Sequence, residues 1–320
     1  MLRTAESVAI GHPDKICDQI SDAILDACLE QDSYSRVAIE TMGGHGIITI
    51  TGELTTNAYV DMRKIAQDVY RDCGNENPIG VQVNVVEQSN EIKKGVDNDG
   101  AGDQGVMIGY ACSETEEMIP LEVKLARQLT KEMGARDGKA QVTLDGDKAV
   151  KIITSICHPE FEDFEELKKN IHDQFSDLEK SIWLFNPNGA WRIGGFEADT
   201  GLTGRKLVVD NYGTNVPIGG GCFSGKDATK VDRSAAYMAR KIAVDYLKNK
   251  GASEVFVHLA YSIGVAEPVM AVATVDGKQE QVQGYDLRPS AIIKMLDLRR
   301  PQFRETAKYG HFGNGFLWDR

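Results

Sequence analysis

Gly219-Gly220-Gly221-Cys222-Phe223-Ser224-Gly225-Lys226-Asp227 is the stretch on which the reading of this chain turns. Residues 220–226 satisfy G-x-x-x-x-G-K, a loop whose exposed amides cradle phosphate, yet Asp227 stands where such loops carry a Ser or Thr for Mg²⁺. The run 227–246 reads as a helix. Glycine amides and a positive helix end would then face polyphosphate, with Lys226 and Lys230, four apart, on one side. Asp232 adds a candidate metal carboxylate. Alone, the segment favours an anion site, while a glycine-rich turn before a capped helix with solvated charges also fits it.

Outside this loop the chain has 320 residues, 42% of them hydrophobic, enough for two or three cores. Lys and Arg number 36 against 48 Asp and Glu, a formal net charge of -12, which disfavours a broad nucleic-acid or anionic-membrane surface. A small basic cluster against that background needs a local purpose. The apolar run 255–275 is broken by His258 and Glu267-Pro268 and reads as two strands rather than a membrane span. No signal peptide is expected at the N-terminus. Six scattered cysteines without CxxC spacing suit a reducing, cytoplasmic setting. Cys222 has no nearby His in sequence to make it a nucleophile.

A second constellation is Gly11-His12-Pro13-Asp14-Lys15. Pro13 opens a helix, His12 presents an imidazole, Asp14 suits a divalent ion and Lys15 suits phosphate, although an ordinary capped helix would look the same. Oxygen ligands without paired Cys or His favour Mg²⁺ over structural zinc. Glu53, Gln88, Asp97, Asp99 and Asp103 lie among glycines and suit either an ammonium-bearing substrate or tight turns. Lys139, Arg205 and Lys206 form a further basic set, or plain surface charge.

Helices are predicted over 14–30, 59–70, 122–133 and 289–298, and strands over 81–86, 140–144, 149–153, 207–209, 255–263 and 269–275. The polar run 90–105 reads as a loop over a site. Helix, strands and an Asp-Gly turn recur three times, which predicts three α+β modules, with approximate spans 1–95, 96–194 and 195–320, between which strands can be exchanged.

Together, Gly11 to Lys15, Gly100-Ala101-Gly102-Asp103-Gln104-Gly105, Gly201-Leu202-Thr203-Gly204-Arg205-Lys206 and Gly219 to Ser234 closely resemble S-adenosylmethionine synthetases, across nearly the whole chain. The resemblance implies three related α/β-layer domains around a pseudo-threefold axis. It also implies a homodimer with active sites between facing subunits, and in some members a dimer of dimers. The implied reaction is attack of methionine sulfur on C5′ of ATP, followed by hydrolysis of the triphosphate to phosphate and diphosphate. Implied cofactors are two Mg²⁺ per site and one K⁺ per subunit.

Residue by residue, the resemblance puts His12 at the ribose and leaving oxygen, Asp14 and Asp232 on Mg²⁺, and Glu40 on K⁺. Lys15, Asp137, Lys139, Arg205, Lys206, Lys226 and Lys230 would contact ATP. Glu53, Gln88, Asp103 and Ile263 would orient methionine, with Asp199 near its amino group or the ribose. Residues 88–99 resemble a mobile gate. Trp191 stands for the aromatic that stacks on adenine, while Ala190 and Arg192 replace the usual Arg and apolar residue around it. The chain is also shorter than usual members in its middle module. Two other readings are a P-loop ATPase or small-molecule kinase, against which Asp227 speaks, and a non-enzymatic nucleotide sensor.

Overall fold

In the computed structural model, residues 1–88, 100–158, 160 and 163–320 are described, and they form three four-stranded sheets, each backed by helices. The strands are β1 (Leu2–Val8), β2 (Arg36–Gly44), β3 (Ile47–Thr55), β4 (Gly80–Val86), β5 (Gly105–Cys112), β6 (Gly138–Asp145), β7 (Lys148–Ile156), β8 (Ile182–Phe185), β9 (Gly201–Leu202), β10 (Glu254–Tyr261), β11 (Met270–Val275) and β12 (Lys278–Gln281). The helices are α1 (Pro13–Gln31), α2 (Met62–Asp72), α3 (Leu121–Glu132), α4 (Phe164–Gln174), α5 (Leu207–Asp210), α6 (Val231–Lys250), α7 (Pro289–Met295) and α8 (Phe303–Thr306).

Local chemistry accounts for most of these elements. Pro13 at the first turn and the His12 cap start α1, whose Ile16, Ile20 and Ile24 are fully buried, each contributing roughly 1.5–3 kcal/mol. In β2, Val37, Ile39 and Thr41 alternate inward. Gly146, at φ 59°, makes the turn between β6 and β7, and Gly251, at φ 61°, ends α6 in the left-handed region.

The sheet orders are β4-β3-β2-β9, β1-β6-β7-β8 and β12-β11-β10-β5. Each takes an edge strand from a distant part of the chain. β1, from the N-terminal stretch, pairs antiparallel with β6. β5, from the middle stretch, pairs antiparallel with β10, and β9, from the C-terminal stretch, pairs antiparallel with β2. The donation is thus cyclic among the three sheets. One core joins α1 and α2 to α6 and the strands beneath them, while Leu129, Val142, Leu144 and Ile152 belong to a separate core under the β1-β6-β7-β8 sheet.

Between these layers lies a charged seam that the hydrophobic pattern does not announce. Lys15 is 1% exposed, with its ammonium 3.1 Å from Asp18 and 2.7 Å from Asp210. Arg233 pairs bidentately with Asp22, and Arg240 pairs with Asp319 through Nε alone. Such buried charges are tolerated because each is hydrogen-bonded as well as paired.

Two expected elements differ. Residues 207–209 form the start of the short helix α5 rather than a strand, because the Asp210 and Asn211 amides turn back to the Lys206 and Leu207 carbonyls while Lys15 grips the Asp210 carboxylate. The helix expected from 227 begins at Val231, since Asp227 is drawn onto β2, where its amide and carboxylate both bond to Val37. Lys226 and Lys230 therefore do not share a helical face. Among the described residues no helix is long and apolar enough to cross a membrane.

Candidate active site

His12 caps α1, with its Nδ1 accepting the Asp14 amide at 3.1 Å. That bond leaves Nε2 as the protonated nitrogen, a fixed donor at the helix end. Burial, with Lys206, Lys139 and Lys15 nearby, pushes its pKa down to about 3 against the pull of Asp14, so the ring is neutral. Asp14 is also buried, which alone would raise its pKa. Lys206 at 2.5 Å, the Leu202 amide at 2.9 Å and His12 hold it below the usual value. Arg205 Nε lies 3.5 Å from the same carboxylate, with its side chain half exposed.

Lys139 leads β6 beside this cluster, opposite Ser155 on β7. Next to it, Asp137 accepts the Gly195 amide at 2.8 Å through Oδ2, while its buried Oδ1 has no hydrogen-bond partner among the described residues. Burial pushes the Asp137 carboxyl up to about 6. It lines a cavity of about 780 Å³ with Gly11, Asn75, Arg136, Arg192 and Gly195. An adjoining cavity of about 550 Å³ is lined by Ser155, Asn186, Asn188, Trp191 and Arg192. Trp191 is held by its indole N–H to the Ile193 carbonyl at 2.5 Å, and Arg192 by the His158 ring at 2.7 Å. Asp199 is exposed and caps its own turn through the Thr200 amide at 2.7 Å.

A second group gathers where the glycine-rich loop crosses β2. Gly221 sits so close to Asp232 that a Cβ would lie 2.1 Å from its carboxylate carbon. Lys226 bonds Asp232 at 2.5 Å, and Lys230 bonds Asp227 at 2.5 Å. Glu40 on β2 feels Lys226, Lys230 and Glu53, and burial raises its pKa. Glu53 stands on β3, and the Gln88 amide bonds the Thr55 hydroxyl at 3.3 Å. Asp103 lies exposed ahead of β5, and exposed Ile263 bridges Ala101.

The expected site residues thus fall into two sets: His12, Asp14, Asp137, Lys139, Trp191, Asp199, Arg205 and Lys206 in one, and Glu40, Glu53, Gln88, Asp103, Lys226, Lys230, Asp232 and Ile263 in the other. Among the described residues no hydrogen bond or ion pair joins the sets directly, although the loops carrying them touch where Gly204 meets Cys222. The Lys15 ammonium is sealed between two carboxylates and 1% exposed. Asp227 accepts from Val37, Thr229 and Lys230 and is a staple for the loop. Burial raises the Cys222 pKa, so it stays a thiol. Expected positions 89–99, Asp97 and Asp99 included, lie outside the described residues.

Three family profiles, described as the N-terminal, central and C-terminal domains of S-adenosylmethionine synthetase, match residues 1–96, 98–190 and 193–320. The chain belongs to the S-adenosylmethionine synthetase family. It is 41% identical to an S-adenosylmethionine synthase of Sulfurovum sp. (strain NBC37-1) over 366 aligned positions, and 42% identical to one of Prochlorococcus marinus (strain MIT 9215) over 391; each alignment covers 99% of this chain and 95% of the relative. Both alignments are longer than the chain, so these synthases carry internal segments that it lacks.

The resemblance implies Mg²⁺, and the donors here can be tested against it. Among the described residues no three His, Cys, Asp or Glu converge as a protein-only cage. Mg²⁺ characteristically binds one or two carboxylates together with substrate phosphates and water, and Asp14 and Asp232 are carboxylates of that kind, each now holding an ammonium. The donor set therefore fits Mg²⁺ bound with a polyphosphate. Sequence reading missed Asp18, Asp22 and Asp210, although the four-residue spacing of Asp14, Asp18, Asp22 and Asp26 was a visible signal.

Proposed function

We infer that this chain converts ATP, L-methionine and water to S-adenosylmethionine, phosphate and diphosphate. It is a methionine adenosyltransferase by family over its full length. The observation that carries the mechanism is the neutral His12 presenting Nε2–H amid Lys139, Arg205 and Lys206.

A sulfur lone pair of methionine forms the bond to C5′, and the C5′–O electron pair leaves with the triphosphate. No protein nucleophile is needed. His12 donates a hydrogen bond to the departing oxygen, and Lys139, Arg205 and Lys206 stabilise the charge that develops there. Water then cleaves the retained triphosphate at phosphorus. Lys226 and Lys230 exchange Asp232 and Asp227 for phosphate oxygens. Trp191 stacks on adenine, and Asp137, whose Oδ1 has no hydrogen-bond partner among the described residues, accepts from the nucleoside. Glu53, Gln88, Asp103 and Ile263 hold methionine, and Asp199 reaches its amino group or the ribose. Asp14 and Asp232 would hold two Mg²⁺, which neutralise phosphate charge, and Glu40 would hold K⁺.

The two residue sets become one site when the first set of one subunit faces the second set of another. Exposed Met42, Ile47, Val106, Ile263 and Met270 around the second set support a homodimer. Six free thiols suit a cytoplasmic setting. Incubation with ATP, methionine, Mg²⁺ and K⁺ should give S-adenosylmethionine with equal phosphate and diphosphate. ADP as the main nucleotide product, or turnover indifferent to methionine, would overturn this reading.

A further inference from the structure

We infer that Asp18 is a positioning residue for adenosyl transfer, holding the Arg205-Lys206 turn at the reacting centre through the Gly204 amide. The inference rests on the reading of Arg205 and Lys206 as triphosphate contacts.

Asp14, Asp18, Asp22 and Asp26 recur every four residues of α1 and so share one face. Each accepts backbone amides from the C-terminal part of the chain. Asp14 takes Leu202 at 2.9 Å, Asp18 takes Gly204 at 2.8 Å, and Asp22 takes Gly225 at 2.8 Å. Asp26 takes Gln302, Phe303 and Arg304 at 2.8–2.9 Å. Successive carboxylates are thereby spaced at about 6 Å by the helix rise, which sets both glycine-rich loops on one ruler.

Asp14 meets the cations Arg205 and Lys206 directly, and Asp18 holds the backbone that carries them. The turn before Arg205 is fastened by the Asp18–Gly204 bond. The turn after Lys206 is fastened by Asp210, whose carboxylate grips Lys15, itself bonded to Asp18 at 3.1 Å. Arg205 and Lys206 are bracketed from both chain directions by α1. On the far side there is no slack: Gly204, at φ 82°, would bring a Cβ within 2.6 Å of the Cys222 Cβ. Released from Asp18, the turn shifts, and misplacement by about 1 Å can cost on the order of 100-fold in rate.

The test compares Asp18→Ala, which removes the acceptor, with Asp18→Asn, which keeps an oxygen for Gly204 and turns a donating amide nitrogen toward Lys15, whose ammonium Asp210 still holds. Turnover is expressed per folded molecule, with folding followed by circular dichroism. The expected result is a kcat loss of about thirtyfold or more for Ala and about fivefold or less for Asn, with KM for methionine moving less than about threefold in both. Equal kcat in the two variants, or a loss confined to KM, overturns the inference, since a purely stabilising role would lower Tm and leave kcat per folded molecule intact. Should Asp18→Ala not fold, Asp18→Glu takes its place: it keeps charge and acceptor but displaces the amide by one methylene. Its kcat must then fall below that of Asn, and an equal or higher value overturns the inference. Wild-type protein in the same assay separates the two claims: no methionine-dependent product from it would sink the functional reading itself.

Discussion

On the proposed mechanism the Lys139 ammonium and the Trp191 ring serve the reaction in two different ways. Lys139 stands beside a neutral His12, and in that mechanism its charge counts most when the triphosphate leaves. Lys139→Ala should lower single-turnover adenosyl transfer by about 100-fold or more while changing affinity for a non-reactive ATP analogue far less. A near-wild-type rate in stopped flow would remove it from the phosphate clamp. In the proposed site Trp191 instead serves binding. Its edge is tied to the Ile193 carbonyl, and its ring lines the smaller cavity. Stacking is worth roughly 1–3 kcal/mol, so Trp191→Ala should raise the dissociation constant of the analogue by about tenfold or more. Unchanged affinity in a folded variant would place adenine elsewhere.

At the scale of elements, α1 is the helix whose polar face is as informative as its apolar one. Asp26 anchors three amides of residues 302–304, yet burial pushes its pKa from 3.8 up to about 6. A raised folded-state value means the protonated carboxyl is favoured by folding. The associated stability is present below about pH 4 and is lost as pH rises through 6. Relative to Asp26→Asn, which does not titrate, wild-type stability should fall by about 2 kcal/mol between pH 4.5 and 7.5 in urea unfolding. A pH-independent difference would refute the linkage. On α6 the demand is steric. It approaches β5 so closely that a Cβ on Gly109 would lie 2.1 Å from the Ala239 carbonyl. Gly109→Ala should therefore cost about 1–3 kcal/mol, read as a lower urea midpoint; an unmoved midpoint would show that the layers can part without penalty.

For the whole molecule, the separation of the site residues into two sets makes assembly testable by mixing. Lys139→Ala disables the first set and Lys226→Ala the second. In a site built between subunits, a mixed dimer of the two variants keeps one intact site of two. Refolding them together at equal amounts should restore about a quarter of wild-type activity, because half of the dimers are mixed. No recovery above the single variants, with sedimentation confirming dimers, would place both sets in one subunit's site.

The α1 start at Gly11-His12-Pro13 and the hairpin at 145–147 were legible in the chain, because glycine, proline and capping residues act on their immediate neighbours. The order of the glycine-rich motifs along the chain was also enough to suggest the family. What only the tertiary structure decided is non-local. Nothing near Leu2–Val8 or Gly201–Leu202 specifies that these become edges of sheets built by other parts of the chain, since strand partners are chosen by burial over long separations. Leu207-Val208-Val209 has strand-forming composition yet turns helical, because the grip of buried Lys15 on Asp210 outweighs a weak local preference. Lys15 itself, by residue type a candidate phosphate contact, is paired with two carboxylates inside the fold, because desolvated charge must find its counter-charge there.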